Sequence, residues 1–367
     1  MMKLKPFINI GPGNIIKRNL EVLNWSQRDL SEITGLAEKT INHIINNKQS
    51  ITIETSRLFS KTFNTSPEFW LNLDQHYRLR LKKESLDEKE TEIKAEIRKY
   101  MPIIEMRKKK WISCNNFFYS QKKAFLNFWE IDKLDFSMYD ENNLKYCPRQ
   151  NKVDEKYTNY YTLTWLQKAR LTARDQERNK YDKKKLSELI SEIPDYSLDK
   201  NGVELFIKNL KNAGVIFFVL SHLSKTYLDG ACFIDNNNPV IVYTARHDRL
   251  DNFWFTMAHE IAHVLYHLNN KNNCFIDDLD KKSNDTQEIQ ANKIAEQYLK
   301  TDKIVKEALP YKNYFSEVRL IQLSEKFNIH PSLVVGILQY YGIVDYRKLN
   351  RHKIKIIDKI PNKYIVE

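Results

Sequence analysis

Residues 253–267 read FWFTMAHEIAHVLYH, a stretch in which a few polar residues stand among apolar ones. His259, Glu260 and His263 form the pattern H-E-x-x-H, and their apolar neighbours predict a helix that is buried on most sides. Burying two imidazoles and a carboxylate is costly unless something satisfies them. Histidines four residues apart lie on one helical face, so their ring nitrogens can converge on a zinc ion. The stretch therefore predicts a zinc site on a buried helix.

Glu260 follows the first histidine directly, so it can reach a water on the metal without binding the metal itself. This is the position of the general base in metallopeptidases. The alternative is a buried polar cluster that only stabilises the fold. The apolar surroundings favour the metal site, because an accidental buried charge is less expected there.

A catalytic zinc site needs a third protein ligand. His267 is unsuitable, because at about 1.5 Å per helical residue it lies roughly 12 Å along the axis from His259. Glu288 is the better candidate, at the edge of the apolar face of a helix predicted for residues 286–299. Asn292, four residues later, is placed to hydrogen-bond a ligand histidine. Other acids compete for the ligand role or cap this helix: Asp277, Asp278 and Asp285, the last being the expected N-cap.

The chain has 367 residues, enough for two or three domains. It has no apolar run of about eighteen residues and no signal-peptide core, so a soluble, cytoplasmic protein without membrane contact is expected. The net charge of +12 favours an acidic partner such as nucleic acid. The cysteines are scattered, which predicts reduced thiols rather than disulfides or a cysteine zinc site: Cys114, Cys147, Cys232 and Cys274.

Short helical patterns follow one another from residue 12 to about residue 77. Ser26 and Asp29 resemble a capping box at the start of the second helix, and Gly35 suits the tight turn that ends it. A third helix is predicted over residues 37–47, with its isoleucines facing inward. Two short helices joined by a glycine turn predict a helix-turn-helix.

The outer face of the third helix carries a polar, amide-rich stripe at helical spacing. From the major groove, Asn can pair with adenine and Lys with guanine or phosphate, whereas residues at the flanks are expected to contact phosphate. The alternative is a small protein-interaction domain whose polar stripe is merely solvated. The predicted DNA contacts are Gln27, Lys39, Thr40, Asn42, His43, Asn46 and Lys48.

Residues 12–80 resemble the HigA-type antitoxins, a branch of the phage-repressor-like helix-turn-helix family. The likeness is specific in the segments SQRDL, ITG, NNK and TSPEFWLNL. Asn47 stands where that family usually has glycine, and Asn tolerates the left-handed backbone that the turn requires. We expect a homodimer on a palindromic operator in double-stranded DNA.

The middle of the chain is first charged and then aromatic. Residues 77–106 predict a solvated connecting helix. Apolar residues recur there every seven positions, but the second apolar position of each heptad, which a coiled coil needs, is mostly missing. Residues 111–161 are crowded with aromatic residues, with lysines between them. A helical core is expected there, and base stacking on single-stranded nucleic acid is the alternative.

From about residue 198 the pattern changes. A helix at 203–213 leads into a strand at 215–220, and two more strands, at 230–234 and 239–244, are separated by an Asx-rich turn. The fold class predicted is mainly α with a small β-sheet. Three domains are expected: an all-α helix-turn-helix domain (1–77), a connecting helix with a helical aromatic-rich subdomain (78–197), and an α+β domain with a helical tail (198–367).

The second half resembles the ImmA/IrrE-type metallopeptidases in VIVYTARHDRLDNFWFTMAHEIAHVLYH, EIQANKIAEQYL and IHPSLVVGILQ, loosely over residues 101–350. The resemblance implies a zincin-like domain in which His259, His263 and Glu288 bind Zn²⁺ and Glu260 is catalytic. Residues 296–301 replace the apolar-Met-Pro ending that is usual in that family. This departure affects the substrate rim more than the metal.

Together the resemblances imply a DNA-binding regulator of the HigA antitoxin type, whose zinc-dependent peptidase domain cleaves a repressor or toxin-related protein partner. The alternative is an antitoxin or repressor whose zinc domain senses or binds without proteolysis, and a structural scaffold is a third possibility. Candidates for stabilising the oxyanion rest on residue type alone: His222, His247 and His330.

Overall fold

The computed structural model describes residues 9–81, 86–137, 153–268, 274–277 and 285–366. The chain divides into two compact units, residues 1–93 and 94–367. Helices dominate both, and the second also holds a small sheet, which confirms the predicted fold class. The predicted domain boundaries at residues 77 and 197 stay a prediction.

The first unit is helical throughout its described elements. Its apolar core is built from one face of each helix, as the sequence pattern predicts, and includes Leu30, Ile41 and Trp70. The elements are α1 (Pro12–Leu23), α2 (Gln27–Thr34), α3 (Glu38–Ile45), α4 (Ile53–Phe63), α5 (Pro67–Leu81) and the start of α6 (Leu86–Tyr100).

Local signals place the turn between α2 and α3 as predicted. The Ser26 hydroxyl accepts a hydrogen bond from the Asp29 backbone N–H at 3.2 Å, and the Asp29 carboxylate accepts one from the Ser26 backbone N–H at 2.6 Å. This reciprocal capping box fixes the start of α2. Gly35 ends the helix with φ +70°, and Asn47 follows α3 with φ +57°, which confirms the left-handed backbone expected there.

The second unit combines helices with the sheet. Its remaining helices are α7 (Ile103–Lys108), α8 (Phe118–Trp129), α9 (Val153–Arg174), α10 (Lys183–Ser191), α11 (Ile193–Leu198), α12 (Gly202–Asn212), α13 (Leu250–Tyr266), α14 (Thr286–Tyr298), α15 (Thr301–Ala308), α16 (Glu317–Phe327) and α17 (Pro331–Tyr340). Short 3-10 turns occupy Leu309–Tyr314, Asn350–His352, Ile357–Lys359 and Asn362–Tyr364. Every described helix is too short or too polar to span a bilayer.

The sheet has five strands: β1 (Ile216–Leu220), β2 (Gly230–Asp235), β3 (Asn238–Tyr243), β4 (Cys274–Asp277) and β5 (Ile365–Val366). Their order in the sheet is β4-β2-β3-β1-β5. A hairpin joins β2 to β3 through Asn236 and Asn237, both with positive φ, as a two-residue turn of this kind requires. β3 and β5 run parallel to β1, and β4 runs antiparallel to β2.

Helix α13 packs against β2, β3, α14 and α17, so it is enclosed by the second unit. Trp254 packs edge-on against Phe206 with ring centroids 5.0 Å apart. Two hydrogen bonds hold the start of α13: the Leu250 N–H donates to the Ile354 carbonyl at 2.9 Å, and the Asp248 side-chain carboxylate accepts from the Ile356 N–H at 2.9 Å. The predicted burial of this helix is therefore confirmed.

The region predicted as one connecting helix is interrupted between α6 and α7. α6 ends at Tyr100 and α7 begins at Ile103, because Pro102 between them lacks the backbone N–H that would continue the helix. In the described part of the aromatic region beyond it, the chain is largely helical, as expected, and half of the rings are buried: Trp111, Phe118, Phe125, Phe128 and Tyr160.

Candidate functional site

Two helices of the second unit supply the candidate metal ligands. His259 and His263 lie on α13, four residues apart and fully buried. Glu288 lies in the first turn of α14, which begins after Asp285 as predicted. The Asp285 carboxylate caps this helix by accepting from the Gln287 N–H at 2.8 Å. The cap sets the first turn of α14, which carries Glu288. Because α14 packs against α13, this turn brings Glu288 to the two histidines.

The donor atoms of the three residues converge. The two histidine Nε2 atoms lie 3.0 Å apart. One Glu288 oxygen lies 3.3 Å from His259 Nε2, and the other lies 3.4 Å from His263 Nε2. Ligand atoms around a tetrahedral zinc ion, at bonds of about 2.0–2.2 Å, lie roughly 3.3 Å from one another. The nitrogen and carboxylate donors and their spacing therefore fit zinc.

His267 supports the site without joining it. Its Nδ1 lies 3.0 Å from Nδ1 of His263, and its Nε2 lies 3.2 Å from the side-chain oxygen of Gln290. Burial lowers the pKa of His267, so its ring is neutral near pH 7 and carries one hydrogen. Gln290 Oε1 can only accept, so that hydrogen is on Nε2 and His267 Nδ1 accepts from His263 Nδ1. His263 Nε2 then keeps its lone pair toward His259 and Glu288, as a metal ligand needs.

Strand β4 covers one side of the donor cluster. Phe275 on this strand stacks on the His263 ring with centroids 4.2 Å apart and an interplanar angle of 24°. The ring of His263 is thus held between Phe275 and the hydrogen bond to His267. The sequence pattern did not indicate β4, since a strand of four residues is too short for a clear alternation.

Glu260, the predicted general base, is fully buried on the side of α13 that faces β2. Gly230, the first residue of β2, makes room for it. A Cβ at Gly230 would lie 2.2 Å from Glu260 Oε1 and 2.9 Å from Thr256 Cγ2. Any larger residue at position 230 would displace the carboxylate. Nothing in the local sequence links Gly230 to Glu260, because the approach depends on how the sheet packs against α13.

Other predicted residues stand apart from the donor cluster. Asn292 lies on α14, four residues after Glu288, and its predicted hydrogen bond to a ligand histidine stays a prediction. The hydrogen bond that orients His263 comes from His267 instead. Among the rival acids, Asp285 is the helix cap, Asp277 ends β4, and Asp278 is outside the described residues. Of the described residues, only three form a metal-binding group: His259, His263 and Glu288.

The oxyanion candidates differ in their surroundings. His330 is the N-cap of α17, where its Nδ1 accepts from the Ser332 N–H at 3.0 Å, so it serves the helix. His247 Nε2 lies 3.9 Å from the buried carboxylate of Asp229. Burial lowers the pKa of His222, with nearby positive charges acting in the same direction. Asp229 directly precedes Gly230, which lies against Glu260. Of the three histidines, His247 is therefore the one whose partner is next to the Glu260 site.

The polar stripe of α3 faces solvent. Lys39, Asn42 and Asn46 are exposed on it, while Thr40 and His43 are partly buried. At the flanks, Lys48 is exposed and Gln27 is partly buried. The predicted DNA contacts thus lie on an accessible face.

Hydrogen bonds join three amides of this face. The Asn42 side-chain NH₂ donates to Gln27 Oε1 at 3.2 Å, and the Asn46 NH₂ donates to Asn42 Oδ1 at 3.2 Å. Each Asn42 group keeps spare capacity, because its nitrogen has a second hydrogen and its oxygen a second lone pair. The chain from Gln27 to Asn46 therefore orients the Asn42 amide while leaving it able to bind a base edge.

These features define a class: a helix-turn-helix domain combined with an α+β domain that carries an H-E-x-x-H helix and a carboxylate from a second helix. Family models match both parts. Residues 16–70 match the helix-turn-helix family, and residues 200–335 match the IrrE N-terminal-like domain, peptidase family M78. The chain thus carries a helix-turn-helix DNA-binding domain and an IrrE-like peptidase domain.

Relatives of the N-terminal part are named as regulators. The chain is 39% identical over 74 residues to an uncharacterized HTH-type transcriptional regulator of Haemophilus influenzae, covering 66% of that protein and 20% of this chain. It is 30% identical over 76 residues to the uncharacterized HTH-type transcriptional regulator YddM of Escherichia coli K12, covering 81% of that protein and 21% of this chain. No solved structure matches the chain. The protein belongs to the family of HTH-type transcriptional regulators.

Proposed function

We propose that this protein is a regulator of the HigA antitoxin type whose second unit is a zinc-dependent endopeptidase. It acts in the cytoplasm as a homodimer on a palindromic operator, and it cleaves a repressor or toxin-related partner. The observation that carries the peptidase proposal is the convergence of His259, His263 and Glu288, with donor atoms 3.0 to 3.4 Å apart. The buried Glu260 next to the first histidine supplies the base.

Each residue of the site has a distinct role. His259, His263 and Glu288 would hold a zinc ion, which when bound would lower the pKa of water and polarise a carbonyl oxygen. Glu260 accepts the proton of the attacking water and returns it to the leaving amine. Gly230 keeps open the space that the Glu260 carboxylate occupies. Three protein ligands and one open position are typical of a catalytic zinc site rather than a structural one.

The DNA half of the proposal rests on α3. Its exposed stripe, with Lys39 and Asn42, suits the major groove, where Asn pairs with adenine and Lys with guanine or phosphate. The relatives named as transcriptional regulators match 20–21% of this chain. Control of its own promoter is the role that the HigA resemblance implies.

The test is Glu260→Gln, which removes the base and keeps the size of the side chain. We expect stoichiometric zinc by elemental analysis and unchanged operator binding, but loss of new protein N-termini that appear in cells expressing the wild-type chain. Glu325→Gln, at an exposed position on α16, is the matched control and should leave cleavage intact.

Two results would redirect the proposal. If the two proteins yield the same N-termini, the regulator acts without proteolysis and its zinc domain senses or binds. If wild-type protein purified without chelators holds no zinc, the metal assignment itself is wrong. Operator binding that survives in either case leaves the first unit's role in place.

A further inference from the structure

Two side chains depart from the burial pattern of the aromatic region. Phe117 is 76% exposed and Tyr119 is 77% exposed, although Phe118 between them is buried. No other aromatic side chain in the described part of the chain is as exposed as these two. They lie at the start of α8, where Phe117 is the N-cap residue. Both rings therefore reach solvent at the same end of one helix, where each can contact a partner.

The sequence around these rings is strongly basic. Between residues 106 and 129 it holds no Asp or Glu, and its basic residues are Arg107, Lys108, Lys109, Lys110, Lys122 and Lys123. Two acids flank the stretch: Glu105 accepts from the Ser224 N–H at 3.0 Å and also acts on the charge of Lys109, and Glu130 pairs with Arg174 at 2.5 Å. Two acids against six basic residues leave the stretch positively charged.

The basic groups border the rings on two sides. The Arg107 guanidinium donates to Asn116 Oδ1 at 3.1 Å, which places the last turn of α7 beside the residue preceding Phe117. Lys123 is exposed and follows Tyr119 by four residues on α8, so the two side chains share a helical face. Lys108, on α7, is also exposed.

We propose that this basic aromatic surface, formed by Phe117, Tyr119, Arg107, Lys108 and Lys123, binds single-stranded DNA. Exposed rings stack on unpaired bases, and the cations bind the phosphates between them. Duplex DNA hides its base faces, so it cannot use the rings. DNA is favoured over RNA because the chain also carries a DNA-binding domain. This function is independent of both the zinc site and operator binding.

The test measures anisotropy of a labelled oligothymidylate with the full-length protein at fixed low salt. We expect the double variant Phe117→Ala, Tyr119→Ala to bind about tenfold more weakly or worse, since stacking contributes to each bound base. The double variant Lys108→Ala, Lys123→Ala should reduce the slope of log affinity against log salt by about 1.4. The matched control, Tyr314→Ala with Tyr340→Ala, removes rings that are 66% and 62% exposed elsewhere and should bind normally.

A second pair of variants, Phe117→Leu with Tyr119→Leu, keeps apolar side chains but removes the rings, and it should lose binding as the alanine pair does. The proposal is overturned if the wild-type protein does not bind oligothymidylate, or if the ring variants bind as tightly as wild type. It is also overturned if the control pair loses as much. Equal binding of oligouridylate, or ring-dependent binding to phosphatidylserine vesicles in place of the oligonucleotide, would assign the surface to another partner.

Discussion

Helices α3 and α13 carry similar polar side chains in opposite surroundings. On α3, Asn42 and Asn46 are exposed to solvent, whereas on α13 His259 and His263 are fully buried. A polar group in water is already satisfied, so its presence on a surface says little about function. A buried imidazole is costly unless it has a partner, so the pattern on α13 itself indicates a ligand. The case for α13 rests on distances, and the case for α3 rests on family membership.

The largest effect expected is loss of metal from α13 when its partner helix is altered. Glu288→Ala removes the carboxylate that lies 3.3 Å from His259 and 3.4 Å from His263. We expect zinc affinity to fall by at least about a hundredfold, since even supporting residues cost 10- to 100-fold. Competition with a chromophoric chelator measures it. Glu296→Ala on the same helix, where the side chain bonds Tyr341, is the control; equal losses in both would count against Glu288 as a ligand.

Gly230→Ala tests whether Glu260 needs the space that Gly230 leaves beside α13. The added Cβ would lie 2.2 Å from Glu260 Oε1, so the carboxylate must move. We expect partner cleavage to fall by about a hundredfold, within the range that a general base contributes, while zinc content stays stoichiometric. Cleavage at the wild-type rate would show that Glu260 has room to work elsewhere.

On the exposed side of the comparison, Lys39→Ala with Asn42→Ala removes two groups of the α3 stripe. Operator affinity should fall by about 10- to 100-fold, because a good base contact discriminates by roughly 1–3 kcal/mol, and nonspecific affinity should fall less. Gel shifts at one salt concentration measure both. Lys61→Ala, exposed on α4, is the control. Equal losses on both DNAs would mean that the stripe contacts only phosphate.

Gln290→Ala affects α13 indirectly, by removing the acceptor that holds the His267 hydrogen on Nε2. His267 could then present either ring nitrogen to His263, so we expect zinc affinity to fall by about tenfold. Gln287→Ala, exposed in the same first turn of α14, is the matched control. Unchanged affinity in Gln290→Ala would show that the site does not depend on the His267 tautomer.

The smallest effect concerns the helix that precedes α3. Hydrogen bonds from the Ser26 backbone N–H and, secondarily, its hydroxyl lower the pKa of Asp29 below its ordinary value of 3.8. The stability that this carboxylate adds to α2 is therefore present above that value and is lost as the pH falls through the lower folded pKa. Carboxyl NMR titration should show the depressed pKa, and Ser26→Ala should bring it closer to 3.8. An unchanged titration in that variant would contradict the capping account.

Local chemistry explains what the sequence could predict. The α13 pattern, the α2 capping box and the left-handed Asn47 depend on residues within a few positions of one another. Glu288 needed the family resemblance as well, because its approach to α13 is a tertiary contact. β5 was not predicted, because two residues are too few to show an alternation of apolar and polar side chains. Only the pairing of Ile365 with Val219 places it in the sheet.

The role of His267 was missed for a different reason. Its distance along the helix excludes it as a zinc ligand of the His259 site, but its spacing of four residues from His263 allows the two rings to hydrogen-bond. Its second partner, Gln290, is twenty-three residues further on. Gly230 is likewise far from Glu260 in sequence, so only the packed sheet reveals that the two meet.

Asn47 carries a consequence beyond its backbone angle. Its side-chain oxygen accepts from the Gly13 N–H at 2.9 Å, and a Cβ on Gly11 would lie 2.6 Å from that oxygen. Asparagine at 47 therefore requires a bare backbone at 11, whereas glycine at 47 would release that requirement. Positions 11 and 47 are therefore expected to covary. Homologues with glycine at 47 should accept residues other than glycine at 11.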